Sequence, residues 1–253
     1  MENADVFNSE NADFGIMPFG DGFILTSDRR IKGRSYGPNE IYGWTGKPYL
    51  KLIHFSDVNV NNNTAKTKII DDVNNDFHNG PSAFDELSNT VYFTRTKMVR
   101  IRKSPMNTDP TSWIDYAPKG EFVSRLEIYY ATHNKGSWSD IKPFEHNKAE
   151  NYSIGHPAIS PCGKIMYFVS DMPEGFGGTD IYFSLLGDDG RWSKPQNAGE
   201  NINTEGNEVF PYIDDDGTLF FSSNGHPGMG GLDIFKTTGA KDKWSFPENL
   251  KYP

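Results

Sequence analysis

Two glycine-rich runs carry aspartates at a spacing that could bind a cation. Residues 175–180 recur as residues 228–233, and repeated Gly/Asp runs can bind calcium. The two copies lie 53 residues apart, not in the tandem nonapeptides of that motif. Glycines also make tight connections, and an aspartate within them accepts backbone N–H bonds. We therefore expect Asp180 and Asp233 to hold loops and not calcium.

The remaining candidates for catalysis or metal binding are weak. The carboxylates at residues 214–216 are contiguous, and no glutamate closes an EF-hand loop after them, which favours a solvated turn. None of the six histidines has a metal-binding spacing, and Gly80-Pro81-Ser82 is not a nucleophile elbow. The sequence thus predicts no catalytic residue, no metal site and no cofactor.

Two histidines and two loop motifs are candidates for binding a partner. His78 and His156 each lie shortly before a predicted first strand. Either histidine is a buried hydrogen-bonding group or part of a binding rim. Loops on a rigid scaffold often carry function. The recurrence of the two loop motifs is equally explained by packing between repeats. The candidates that the two loop motifs supply are Asn201, Asn203, Glu208, Phe176 and Met229.

Internal repeats decide the architecture that must position these side chains. Residues 167–171 recur as 220–224, and the tripeptide that begins at Asp180 recurs at Asp233, in both cases 53 residues later. Glu127 begins a further copy, another 53 residues upstream. A tryptophan follows each of these copies, and we interpret the three as structural: Trp138, Trp192 and Trp244.

The clearest unit resolves into four short strands separated by turns, ending in a strand at 192–195. Four antiparallel strands per unit of about 50 residues are typical of a propeller blade. We predict an all-β propeller with repeats at about 5–70, 71–145, 146–197 and 198–250, forming part of a five- or six-bladed ring. Residues 97–125 are interpreted mainly as a loop. Four aromatic residues are expected between blades: Tyr167, Phe168, Phe220 and Phe221.

Composition excludes several classes of function. Aromatic residues make up 14% of the chain, more than a disordered protein carries. The net charge of -9 and the pI near 5.1 argue against a nucleic-acid surface or an anionic membrane surface. The single cysteine, Cys162, excludes an internal disulfide. No stretch approaches the ~20 apolar residues of a membrane span, so no membrane insertion is expected.

The repeat motifs resemble those of a known family. The runs 155–160, 166–173 and 177–182, together with 201–204, 221–225 and 230–235, are similar to WD-like, TolB-type propeller repeats of Bacteroidetes OmpA-family lipoproteins. Among these they resemble most the PorE-type proteins of the type IX secretion system. The resemblance is specific over about residues 146–250 and looser before them.

This resemblance implies a periplasmic, outer-membrane-associated propeller that is not an enzyme. The implied function is a scaffold that contacts other envelope or secretion-system proteins. Peptidoglycan binding would belong to domains that are absent from this chain. Two alternatives remain: a carbohydrate-active propeller enzyme, which needs two carboxylates converging in the central funnel, and a glycan- or peptide-binding module, which needs an exposed aromatic cluster on the recurrent-loop face.

The chain starts and stops in the same phase of the repeat. Residues 8–14 lie before a first strand, and residues 244–250 contain a fourth. We therefore expect an excerpt of a longer lipoprotein with at least one further blade. In that case the outward faces of the first and last blades should both carry uncovered apolar side chains.

Overall fold

The computed structural model describes residues 6–59, 62–101, 121–139 and 141–251. The first sheet contains β1 (Asp13–Phe19), β2 (Gly22–Ser27), β3 (Lys51–Asn59) and β4 (Thr64–Ile69), with a 3-10 turn at Pro38–Glu40. The second contains β5 (Asn79–Asp85), β6 (Thr90–Ile101), β7 (Glu121–Asn134), β8 (Ser137–Trp138) and β9 (Lys142–Pro143). Within these ranges no helix is long and apolar enough to cross a bilayer.

The third and fourth sheets follow the same plan. The third contains β10 (Ile154–Ile159), β11 (Ile165–Ser170), β12 (Asp180–Leu185) and β13 (Gln196–Asn197). The fourth contains β14 (Glu208–Ile213), β15 (Thr218–Ser223), β16 (Asp233–Ala240), β17 (Lys243–Trp244) and β18 (Glu248–Asn249). Every sheet is an antiparallel meander. The first strands of neighbouring sheets contact each other. The described residues thus form four blades of an all-β propeller, which confirms the predicted fold class and the four repeats. The five- or six-bladed ring stays a prediction.

Apolar clusters join the blades in sequence. We call the side of a blade that points to the next blade in the chain its downstream face, and the opposite side its upstream face. Ile24 and Leu52 of the first blade pack on Val91 and Phe93 of the second. Two further clusters fill the next two interfaces. Each pair of successive blades thus buries apolar side chains between its two sheets, as radial repeats require.

The prediction of a loop at residues 97–125 is wrong at both of its ends. Strand β6 continues to Ile101 and β7 begins at Glu121, and their pairing runs unbroken from Thr90 to Ile101. Residues 102–120, which include Trp113 and Ile114, lie outside the described residues. The hairpin extends beyond the blade because the two strands satisfy each other's backbone groups without help from neighbouring sheets.

The predicted fourth strand of the third unit is displaced by a few residues. Trp192 forms a single bridge with Leu186, and the strand that pairs with β12 is Gln196–Asn197. Pro195 has no N–H to donate to a ladder, so pairing begins only after it.

Phe220 does not lie between blades, which corrects that part of the prediction. Tyr167, Phe168 and Phe221 are essentially inaccessible, whereas Phe220 is half-buried and contacts Tyr212 at a ring distance of 6.1 Å. Consecutive strand residues point to opposite faces. Blade three is covered on both faces, but blade four is covered only on its upstream face, where Phe221 lies.

The outward faces of the first and last blades differ. On blade four, Tyr212 and Ile234 are each 54% exposed, as expected. On blade one, Ile53 and Phe55 are at most 1% exposed, because the chain's own segments cover them. Phe7 packs edge-on against Phe23 in this cover. The expectation of an uncovered apolar face on the first blade is therefore wrong.

The central axis is lined by a bulge in each first strand. Equivalent positions are Gly15, Pro81, His156 and Phe210. Three of them have positive φ, at 62°, 51° and 53° for Gly15, His156 and Phe210. The imidazole of His156 stacks on Phe210 with centroids 4.3 Å apart, and Phe14 meets Phe210 at 6.0 Å. Aromatic rings thus meet where the first strands of the blades converge.

Candidate functional site

The recurrent loops lie on one face and pack against each other. The Gly178 N–H donates to the Gly206 carbonyl at 2.7 Å, and the Glu208 N–H donates to the Thr179 carbonyl at 2.7 Å. A Cβ on Gly177 would lie 2.3 Å from the Thr204 carbonyl oxygen, so only glycine allows this approach. The loop that follows β11 therefore locks onto the connection between blades three and four.

Glu208 is fully buried, and its carboxylate is saturated by the chain's own donors. The Thr204 N–H donates to Oε2 at 2.9 Å, and the Thr204 hydroxyl donates to Oε1 at 2.7 Å. The Ser223 hydroxyl donates to Oε1 at 2.6 Å. A carboxylate that accepts three bonds in a buried position holds the loop in place.

The side-chain amide of Asn203 makes the hydrogen bonds to β12 that a neighbouring strand would otherwise make. Its side chain accepts from the Ile181 N–H and donates to the Ile181 carbonyl, both at 2.8 Å. Asn74 and Asn147 make the same pair of bonds to Leu52 and Ile128 at the equivalent positions of blades one and two. Exposed Asn201 donates to the Trp244 carbonyl at 2.7 Å. Both predicted asparagines are thus engaged within the fold.

Asp180 and Asp233 each accept bonds from the glycine-rich loop that precedes them. Asp180 Oδ2 accepts from the Phe176 N–H at 2.5 Å, and Asp233 Oδ2 accepts from the Met229 N–H at 2.7 Å. The side chains of Phe176 and Met229, by contrast, are 50% and 65% exposed. In the described ranges, no group of three His, Cys, Asp or Glu side chains is arranged to hold a metal ion.

The two candidate histidines lie apart and are partly enclosed. His78 Nδ1 accepts from the Leu50 N–H at 3.1 Å, and the rings of Tyr42 and Tyr49 contact its imidazole edge-on. The His156 N–H donates to Thr94 Oγ1 at 2.9 Å. Burial lowers the pKa of His156 to about 4 and also lowers the pKa of His78, so both are uncharged at neutral pH.

The carboxylate of Asp13, the first residue of β1, also accepts hydrogen bonds from the chain's own side chains. Asp13 Oδ1 accepts from Arg29 Nη2 at 2.6 Å and from the Ser27 hydroxyl at 2.6 Å. Burial alone would raise the pKa of Asp13. Hydrogen bonds from the Ser27 and Ser9 hydroxyls and from the guanidinium outweigh this effect and hold that pKa below its ordinary value.

The three repeated tryptophans pack on the preceding blade. Ring distances are 5.4 Å from Trp138 to Phe19, 5.9 Å from Trp192 to Tyr92 and 5.6 Å from Trp244 to Tyr167. The Trp244 Nε1–H donates to the Lys241 carbonyl at 2.7 Å. These residues tie successive blades together at their outer strands.

No sequence pattern pointed to Lys51, a lysine that is only 7% exposed. Its position in β3 matches those of Asp180 and Asp233 in later blades, so a cation replaces an anion. The ammonium donates to the Phe77 carbonyl at 3.2 Å and to the Asn75 carbonyl. Burial lowers the pKa of Lys51 to about 8.

Stability should depend on this lysine at alkaline pH. The unfolded lysine has a pKa of about 10.4, so between about pH 8 and pH 10 the unfolded chain binds more protons than the folded one. The free energy of unfolding should therefore rise by about 1–3 kcal/mol over this interval relative to Lys51→Met, measured by urea titration. Parallel pH profiles for the two proteins would contradict this burial of the charge.

Comparison with known proteins finds only distant similarity. No family model and no curated protein matches the chain. Among solved structures, a puromycin-hydrolyzing peptidase from Mycobacterium tuberculosis is 13% identical with a TM-score of 0.46, over 94% of this chain and 30% of that one. TolB from Acinetobacter baumannii is 13% identical with a TM-score of 0.49, over 97% and 45%.

An α-L-arabinofuranosidase from Podospora anserina is also similar. It is 10% identical with a TM-score of 0.46, over 93% of this chain and 66% of that one. The chain spans less than half the length of the peptidase and of TolB.

Proposed function

We propose that the protein is a non-enzymatic periplasmic scaffold that binds another envelope protein through the downstream face of its fourth blade. The periplasmic, outer-membrane-associated setting, and the finer assignment to type IX secretion-like complexes of OmpA-family lipoproteins, are supported by the repeat motifs over residues 146–250. The binding surface is supported by the packing of the blades.

The downstream face of the fourth blade has the pattern of a covered sheet but is open. Tyr212 and Ile234 are each 54% exposed. Their equivalents on blade three, Ala158 and Ile181, are 4% and 0% exposed because blade four lies on them. Phe220 likewise corresponds to the fully buried Tyr167. An exposed apolar patch on a sheet face is typical of a protein interface.

Charged side chains border this patch. Lys236 Nζ and Glu248 Oε2 form an exposed ion pair at 3.2 Å on the same blade. An apolar centre with a polar rim is the usual anatomy of a protein–protein interface. We therefore propose that a separate folded partner with a complementary apolar surface covers this face, in place of a further blade of the same chain.

The carbohydrate-active alternative finds less support. A glycosidase needs two carboxylates that are free to act on the substrate. The inner-strand carboxylates of Asp13 and Glu208 instead accept hydrogen bonds from the chain's own side chains.

Site-specific photo-crosslinking tests the scaffold function. A photoreactive amino acid at Ile234 should yield a discrete adduct with another envelope protein in cells. The same residue at exposed Asp215, on a turn of the same blade, should yield none. Equal adducts from both positions, no adduct from Ile234, or an adduct of twice the chain's mass would overturn the proposal.

A further inference from the structure

A cleft between the first and second blades has features that the scaffold function does not use. It has a volume of about 390 Å³ and lies on the face opposite the recurrent loops. It is lined by Phe19, Gly20, Asp21, His54, Phe84, Glu86, Asn89 and His133. The turn after β1 and the turn after β5 form its rim.

Aromatic rings form one wall of the cleft. Phe19 meets Phe84 at 5.0 Å and His54 at 5.4 Å, both edge-to-face. It also meets His133 at 5.1 Å and stacks on Trp138 at 5.4 Å. Phe19 is thereby held by rings on several sides, which gives the cleft a rigid, preformed wall.

The polar groups of the cleft favour a ligand that donates hydrogen bonds. Asp21 and Glu86 are exposed carboxylates at the rim, and among the described residues no lysine or arginine lines the cleft. Burial lowers the pKa of His54. The nearby carboxylate of Asp21 opposes this effect, whereas His133 and Lys68 lower the pKa further. The imidazole is therefore uncharged at neutral pH and does not repel a cation in the cleft.

These features contrast with the rest of the fold. Both carboxylate oxygens of Glu208 and Oδ2 of Asp180 accept bonds from the chain's own donors, whereas no bond to the exposed carboxylates of Asp21 and Glu86 is described. Two negative charges beside aromatic rings attract cations, both by Coulomb attraction and by cation–π interaction.

We propose that this cleft binds an organic cation, a guanidinium or alkylammonium group. Its N–H donors would meet the carboxylates of Asp21 and Glu86, with the aromatic wall beside its alkyl part. The same chemistry is offered by a free amine and by a basic side chain of a bound protein. This site is independent of the fourth-blade face.

Calorimetric titration of the full chain tests the proposal with three probes. Agmatine represents a free amine, acetyl-Gly-Arg-Gly-amide represents a protein side chain, and the citrulline analogue of that peptide is its uncharged control. We expect a cationic probe to bind with a Kd of ~1 mM or tighter and the citrulline peptide to bind at least about fivefold more weakly. Tighter binding of agmatine identifies a free amine as the source, and tighter binding of the arginine peptide identifies a side chain.

Matched variants locate the binding in the cleft. Asp21→Asn with Glu86→Gln should weaken cation binding about fivefold or more. The control, Asp215→Asn with Asp216→Asn, removes the same charge from an exposed turn and should change binding less than about twofold. Binding should also shift the NMR signals of His54 and His133. Equal effects of the two double variants, equal binding of the citrulline peptide, or no binding of either cation would overturn the proposal.

Discussion

Replacing Phe221 by alanine is expected to lower the free energy of unfolding by about 3–5 kcal/mol. Phe221 is 1% exposed and lies in the cluster that joins blades three and four. Its ring stacks on Phe235 at 5.8 Å. Truncation removes buried apolar area and leaves a cavity between two sheets that cannot easily collapse. The loss is measured from the urea midpoint with an unchanged slope.

The neighbouring Phe220 provides the matched control. It has the same side chain on the same strand but lies half-buried on the open face. Phe220→Ala should cost roughly 1 kcal/mol, the common value for a partly exposed position. Equal losses for the two variants would mean that the fourth blade is covered on both faces.

Glu208→Ala should also destabilise the protein strongly, by about 3–5 kcal/mol. Glu208 is 0% exposed and accepts bonds from the Thr204 N–H, the Thr204 hydroxyl and the Ser223 hydroxyl. Its removal leaves these donors without their acceptor, and each unsatisfied buried group costs about 1–3 kcal/mol before relaxation or water entry.

Two further variants separate the role of Glu208 from a general effect of charge. Glu205→Ala removes an exposed carboxylate from the same loop and should change stability by less than about 0.5 kcal/mol. Glu208→Gln keeps one acceptor oxygen and should fall between the two. Thermal or urea unfolding in which the Glu208 and Glu205 alanine variants behave alike would refute the loop-holding role.

The repeat spacing was sufficient to predict the blades. Glu127, Asp180 and Asp233, which lie at intervals of 53 residues, occupy the same position in the third strand of their sheets. The side-chain period of a strand and the repetition of its turns are local properties, so they can be read from one sequence. The covering of a face is not local. Phe220 and Tyr167 have the same pattern, and only the presence of a following blade distinguishes them.

The groups that line the cleft could not be predicted for a related reason. His54 and His133 lie 79 residues apart and have no motif around them. They approach the same cleft because equivalent strands of adjacent blades lie side by side. The burial of Lys51 could not be predicted for a different reason. Its position matches an aspartate in later repeats, and only the contacts of the folded chain show that the cation is buried.

Each sheet is made from one uninterrupted stretch of the chain, and in the described ranges no strand of one blade completes the sheet of another. A force applied to the two ends therefore meets side-chain packing and loop contacts between blades, but no backbone ladder that ties the first sheet to the last. Blades can detach singly under load and return without disturbing the strand register of the others. Under force we therefore expect the blades to unfold one after another, so that a partner bound to one blade stays attached while another blade unfolds.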